Sequence, residues 1–205
     1  MPSTEIPPLL AILRGLTPGE AGPIGAALFD AGVRCIEVPL NSPDPLDSIR
    51  ILSEALGDRC LIGAGTVLDP DGVDAVKAAG GALIVTPNTN TAVIGRAVAL
   101  GLAVVPGFAT ATEAFAAVKA GARALKLFPA STYGPGHLKA LRSVLPRDVA
   151  VYATGGVGAA DFAGWRAAGA IGFGIGGELY RPGDAPGVVA TRARMLVKAI
   201  EGLEA

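Results

Sequence analysis

The chain has 205 residues, of which 51% are apolar and 17% charged, and its formal net charge is −1. That length and apolar share suffice for one well-buried domain spanning 1–205, and the near-neutral balance without a basic run excludes the electrostatic footprint of a nucleic-acid or polybasic membrane binder. No apolar run approaches bilayer length, and the opening "MPSTEIPPLLAILRG" has no basic segment ahead of a long apolar one, so a cytoplasmic protein acting on a small molecule is expected.

In chain order, short β-rich runs alternate with longer alanine-rich segments of helical periodicity, the signature of a parallel sheet covered by helices. The runs are "LLAILRG" (9–15), "CIEVPLN" (35–41), "LIGAGTV" (61–67), "ALIVTPN" (82–88), "AVVPGFA" (103–109), "ALKLFPA" (124–130), "AVYATGG" (150–156) and "AIGFGIGG" (170–177). Helix starts are signalled at Thr17-Pro18 with Glu20, at Ser42-Pro43, at Asp69-Pro70 and at Thr110 with Glu113. Helix ends are signalled by glycine in "DAGV" (30–33), "KAAGG" (77–81), "ALGL" (99–102), "KAGA" (119–122) and "AAGA" (167–170), where a left-handed cap is wanted. Segment 185–203 reads as a closing helix. These eight units predict an α/β protein of the (β/α)₈ barrel type; the competing doubly wound open sheet would want a GxGxxG turn after the first strand, and none is there.

A barrel of this kind places its chemistry at the C-terminal strand ends, where the polar residues are Arg14, Glu37, Thr66, Thr86, Asn88, Lys126 and Thr154. Lys126 and Glu37 have apolar neighbours on both sides, so the two-residue period of a strand sends them into the barrel interior when those neighbours face the helices. A buried ion pair that only holds strands together is the structural reading, but such pairs are weak evidence of stabilisation. The chemical reading is that a lysine in a low-dielectric pocket beside Arg14 is held as a neutral amine able to attack a ketone, with Glu37 moving protons. Gly155-Gly156 and Gly176-Gly177 follow the seventh and eighth runs, where barrels bind phosphate through backbone amides, and Ser131 offers a further hydroxyl. His137, the single histidine, is expected on the surface, and Cys35 and Cys60 are expected as buried free thiols. No metal site and no cofactor are expected, since the ligand-bearing residues do not converge at strand ends and aromatic residues are sparse. An epimerase or isomerase on the same barrel would need paired acid/base groups or metal-binding histidines, and a non-catalytic sugar-phosphate-binding barrel remains the alternative outside enzymes.

The ordered motifs "AILRG", "EVPLNSP", "LIGAGTVL", "VTPN", "PGFATATEA", "ALKLFPAS" and "GGV" span nearly the whole chain and resemble the 2-keto-3-deoxy-6-phosphogluconate and -phosphogalactonate aldolases. The resemblance implies a class I, metal-free barrel enzyme, usually a homotrimer, that cleaves a phosphorylated six-carbon keto acid to pyruvate and glyceraldehyde 3-phosphate. It implies Lys126 as the Schiff-base lysine, Glu37 as general acid/base, Arg14 and Thr66 at the pyruvate carboxylate, and Gly155, Gly156, Gly176 and Gly177 at the phosphate. Asn41 stands where gluconate-type members carry arginine, which favours the galactonate type, whereas Thr154 is similar to the gluconate type. Gly177 stands where relatives carry serine. Cleavage of both C4 epimers, with the galactonate-type substrate preferred, is the expectation.

Overall fold

The computed structural model describes residues 6–203; the first five residues, read above for a leader, and the last two lie outside them. Strands β1 (Leu9–Ile12), β2 (Cys35–Pro39), β3 (Leu61–Gly65), β4 (Leu83–Val85), β5 (Ala103–Val105), β6 (Gly107–Phe108), β7 (Ala124–Leu127), β8 (Ala150–Thr154) and β9 (Gly172–Ile175) form one sheet. Its order is β5, β4, β3, β2, β1, β9, β8, β7, β6, with every pairing parallel. The described residues hold nine strands where eight runs were expected, because Pro106, which has no N–H for the ladder, divides the fifth run. Its first half pairs with β4 and its second with β7. The Pro106 carbonyl still accepts from Lys126 N at 2.9 Å, so this divided strand carries the sheet round into a nearly closed barrel.

Helices α1 (Pro18–Asp30), α2 (Pro45–Leu56), α3 (Pro70–Ala78), α4 (Thr91–Ala99), α5 (Ala111–Lys119), α6 (Ala130–Arg142), α7 (Phe162–Ala167) and α8 (Pro186–Glu201) surround it. The Thr17/Glu20 and Thr110/Glu113 capping boxes form, and Asp69 accepts from Gly72 N at 2.7 Å. Gly32, Gly80, Gly101, Gly121 and Gly169 all take positive φ at the predicted helix ends. The start expected at Ser42-Pro43 is corrected: Asp44 is the N-cap and Pro45 opens α2. Ser42 is instead buried in the preceding turn, where its Oγ accepts from Gly15 N at 2.9 Å. Helix α6 is kinked at Gly134, whose φ of 75° and ψ of 165° are not helical.

Alternation along the strands sorts side chains into two apolar groups. Ala11, Ile36, Val38, Leu125, Leu127, Val151, Ala153, Phe173 and Ile175 pack between sheet and helices, while Leu10, Cys35, Leu83, Val85, Ala124 and Tyr152 fill the barrel interior. The same alternation turns Glu37, Lys126 and Thr154 inward. A barrel of this width cannot hold a large side chain on every inward position, and glycine supplies the room. Lys126 is level with Gly107, Tyr152 with Gly172, and Thr154 with Gly174. A Cβ at Gly172 would overlap the Tyr152 ring, and one at Gly174 would overlap the Thr154 hydroxyl. Tyr152 is held by its hydroxyl, which donates to the Ile6 carbonyl at 2.5 Å, so it has little freedom to retreat. Gly172→Ala is therefore expected to destabilise the fold by about 1–3 kcal/mol, the usual cost of overpacking; urea unfolding measures it, and an unchanged midpoint would show that the interior yields.

Candidate active site

At the C-terminal end of the barrel lies a cavity of about 440 Å³ whose wall includes Arg14, Glu37, Thr66, Lys126 and Thr154. Residues read from separate strands are thus brought together. A larger cavity of about 580 Å³ opens at the other end, among Ile6, Ala124, Ala150 and Tyr152. It contains neither Lys126 nor Glu37, and so lacks the paired amine and carboxyl that distinguish the smaller one.

Lys126 and Glu37 are 7% and 2% exposed, so their charged forms lose most of their hydration. Burial is the main cause that brings the Lys126 amine down to about 8, with Glu37 opposing and Arg14 assisting. Burial likewise raises the Glu37 carboxyl to about 7, against the pull of Lys126 and Arg14. The two groups therefore exchange protonation states near neutrality as a pair. Glu37 Oε2 is buried with no hydrogen-bond partner among the described residues, leaving an acceptor free inside the cavity. The Lys126 Nζ lies 5.0 Å from the centroid of Phe128, which also lines the site.

Arg14 is oriented by Asn41, whose Oδ1 accepts from Nη1 at 2.5 Å, and by the Thr66 hydroxyl, which lies 3.5 Å from Nη2. Asn41 is exposed and acts on Arg14 from outside the cavity wall. Thr66 has a φ of 55°. For a β-branched residue that left-handed conformation is strained, at about 1–3 kcal/mol, and here it presents the hydroxyl to Arg14. Thr86, also at a strand end, is committed to the loop: its hydroxyl donates to the Asn88 carbonyl and accepts from Gly107 N.

Gly155 and Gly156 have φ of 94° and 70°, and with Gly176 and Gly177 they line the same cavity. The N–H groups of Gly156 and Gly177 donate to no acceptor among the described residues. Ser131 lies beside this turn, with N donating to the Gly155 carbonyl at 3.0 Å and its hydroxyl against Gly156, but it is outside the cavity wall. His137 is more integrated than a surface position: it is half-buried, its ring is 4.8 Å from Tyr133, and its Nε2 is 2.6 Å from the Ala109 carbonyl. Cys35 and Cys60 are free and buried as expected. Among the described residues, no three His, Cys, Asp or Glu side chains form a group that would hold a metal, and no helix is long and apolar enough to cross a membrane.

Arg181 and Gly65 bear on the site without standing out in the sequence. Arg181 lines the cavity beside the Gly176-Gly177 turn; its signal is its place four residues after Gly177 in "GGELYRPGD", beyond the end of the strand. Gly65 sits inside the quoted "GAGTV" motif, but its contact with Glu37 depends on packing between β2 and β3.

The family model described as "Aldolase: KDPG and KHG aldolase" matches residues 4–185. The chain belongs to the KDPG and KHG aldolase family. It is 53% identical to "2-dehydro-3-deoxy-6-phosphogalactonate aldolase" of Escherichia coli (strain K12), over 94% of each chain. It is similar to a solved structure described as "Native KDPGal structure", with TM-score 0.95 and 51% identity over 98% of this chain and 97% of the other. It is also similar to KDPG aldolase of Legionella pneumophila, solved with pyruvate captured as a covalent carbinolamine, with TM-score 0.83 and 25% identity over 92% and 93% of the two chains. The aldolase fold and the barrel expected from the motifs are thus shown for this chain.

Gly65 gives the site a dependence of its own. A Cβ built there would overlap both oxygens of the Glu37 carboxylate, so the absent side chain is the space in which that group sits. Gly65→Ala should lower turnover by roughly 100-fold or more, the scale of a misplaced acid/base group. Glu37→Asp, which shortens the arm by one methylene, should raise turnover again in the Gly65→Ala background. Steady-state rates of the single and double variants decide this; a double variant no faster than Gly65→Ala would remove the overlap as the cause.

Proposed function

We propose that the protein is a class I aldolase cleaving 2-dehydro-3-deoxy-6-phosphogalactonate to pyruvate and glyceraldehyde 3-phosphate, with the gluconate epimer accepted less well. The observation that carries this reading is the buried Lys126 amine, lowered to about 8, beside a Glu37 carboxyl raised to about 7 in one cavity. An amine in that range is available as a nucleophile near neutral pH, and a carboxyl in that range gives and takes protons there.

In the proposed mechanism, neutral Lys126 Nζ attacks the C2 ketone to give a carbinolamine, and loss of water leaves an iminium. Glu37 as carboxylate takes the C4 hydroxyl proton while the C3–C4 bond breaks. Its electron pair enters the iminium to give an enamine, and C4 leaves as the aldehyde carbon of glyceraldehyde 3-phosphate. The proton now on Glu37 goes to C3, and water hydrolyses the restored iminium to free pyruvate and the amine. No cofactor takes part. Arg14, oriented by Asn41 and Thr66, binds the carboxylate, and Gly155, Gly156, Gly176 and Gly177 meet the phosphate through backbone N–H groups. Ser131 supports the first of these turns.

The galactonate preference is supported by the 53% identity to the relative of that description and by the Arg14–Asn41 pair. Thr154, inward and 3% exposed, supports the secondary acceptance of the gluconate epimer, because its hydroxyl can meet a C4 hydroxyl. We further propose a cytoplasmic homotrimer; exposed Val98 on α4 and Phe115 on the adjacent α5 offer apolar surface for contact between copies.

Two measurements test the reading. Borohydride reduction with pyruvate should mark Lys126, and kcat/KM should be higher for the galactonate epimer than for the gluconate one. Lys126→Met should lose both trapping and cleavage, while cleavage retained by that variant would end the Schiff-base assignment. Glu37→Gln should still form the imine but turn over roughly 100- to 10,000-fold more slowly. Glu37 raises the Lys126 pKa by its charge, whereas burial and Arg14 lower it. Neutral glutamine removes only the raising influence, so the pH midpoint for trapping should fall below about 8. A midpoint that rises, measured as trapping rate against pH, would show that Glu37 does not act on Lys126 by charge.

A further inference from the structure

Arg181 stands at the cavity wall with Gly176 and Gly177, in a turn closed by bonds from Leu179 N and Tyr180 N to the Gly176 carbonyl. Its Nε donates to the Gly177 carbonyl at 3.2 Å. That bond ties the exposed side chain to the glycine turn, its charge also acts on the Asp184 carboxylate, and neither Nη group has a hydrogen-bond acceptor among the described residues. The turn is itself braced: Arg181 N donates to Asp184 at 2.9 Å, Gly183 N donates to Glu20 on α1 at 3.2 Å, and Pro182 packs against Gly15. Glu178 lines the same end of the cavity, so an anion there meets one carboxylate and needs a compensating cation. Position 177 itself offers only backbone.

We infer that Arg181 binds the substrate's phosphoryl group, its free Nη groups donating to phosphate oxygens beside the backbone N–H groups of the Gly155-Gly156 and Gly176-Gly177 turns. The inference rests on the proposed aldolase function and names the side chain that makes the site prefer a phosphorylated substrate. A guanidinium fork suits a phosphate geometrically as well as by charge, and one held by its own Nε to a carbonyl loses less freedom on binding.

The test is aldol condensation of pyruvate with glyceraldehyde 3-phosphate and, separately, with unphosphorylated glyceraldehyde. Arg181→Met should raise KM for the phosphorylated acceptor roughly 10- to 100-fold, the scale of a charge-assisted bond, with kcat nearly unchanged. It should leave kcat/KM for glyceraldehyde within about twofold, and Arg181→Lys should recover part of the loss. Equal losses on both acceptors would mean that Arg181 only holds the turn, and an unchanged KM would mean that the backbone suffices; either overturns the inference. Wild-type protein that condenses neither acceptor would instead refute the aldolase function, so the two failures are distinguishable.

Discussion

The constraint on which the rest depends is the narrowness of the barrel interior, which makes a neighbouring glycine a condition for placing Glu37, Leu83, Tyr152 and Thr154. The Glu37 carboxylate occupies the space over Gly65, and Gly107, level with Lys126, lets the strand pass the Pro87 carbonyl. Both groups are buried, and that burial moves the amine down to about 8 and the carboxyl up to about 7. Packing and titration are therefore one problem here. Widening the interior would admit water and restore ordinary titration, while narrowing it would displace the carboxylate.

Periodicity made half of this legible in the sequence. Leu125, Leu127, Ile36 and Val38 face the helices, as their apolar character requires, and the two-residue period of the strand then places Lys126 and Glu37 inside. What the period does not contain is lateral register. That Gly65 lies over Glu37, or Gly174 beside Thr154, depends on how neighbouring strands align, and a linear reading sees only that glycines are frequent. Pro106 shows the same limit: its missing N–H was visible, but the change of partner from β4 to β7 required the closed sheet.

The candidate site divides in the same way. Arg14, Thr66, Thr154 and the glycine pairs sit at strand ends, where fold logic directs attention, and they meet in one cavity. Asn41 was found by resemblance and Ser131 by its place just past the lysine strand, and the structure puts each behind the wall, one holding Arg14 and the other beside Gly156. Arg181 lies well past β9, where no strand rule reaches. Ser42 was read as a helix start from its neighbour Pro43, yet its hydroxyl serves Gly15, because the turn before α2 is drawn toward β1 to bring Asn41 to Arg14.

Gly15 ties these pieces together. Its N–H donates to Ser42, and its φ of 84° turns the chain immediately after Arg14, a conformation glycine adopts without the strain a side chain would bring. A Cβ there would also press on Pro182, in the turn that carries Arg181. Two residues further on, Thr17 caps α1 together with Glu20, and Glu20 also accepts from Gly183. The short segment from Arg14 to Glu20 thus touches the loop that orients one cavity arginine and carries the brace for the other. The loops that carry Asn41 and Arg181 are therefore braced through one shared segment.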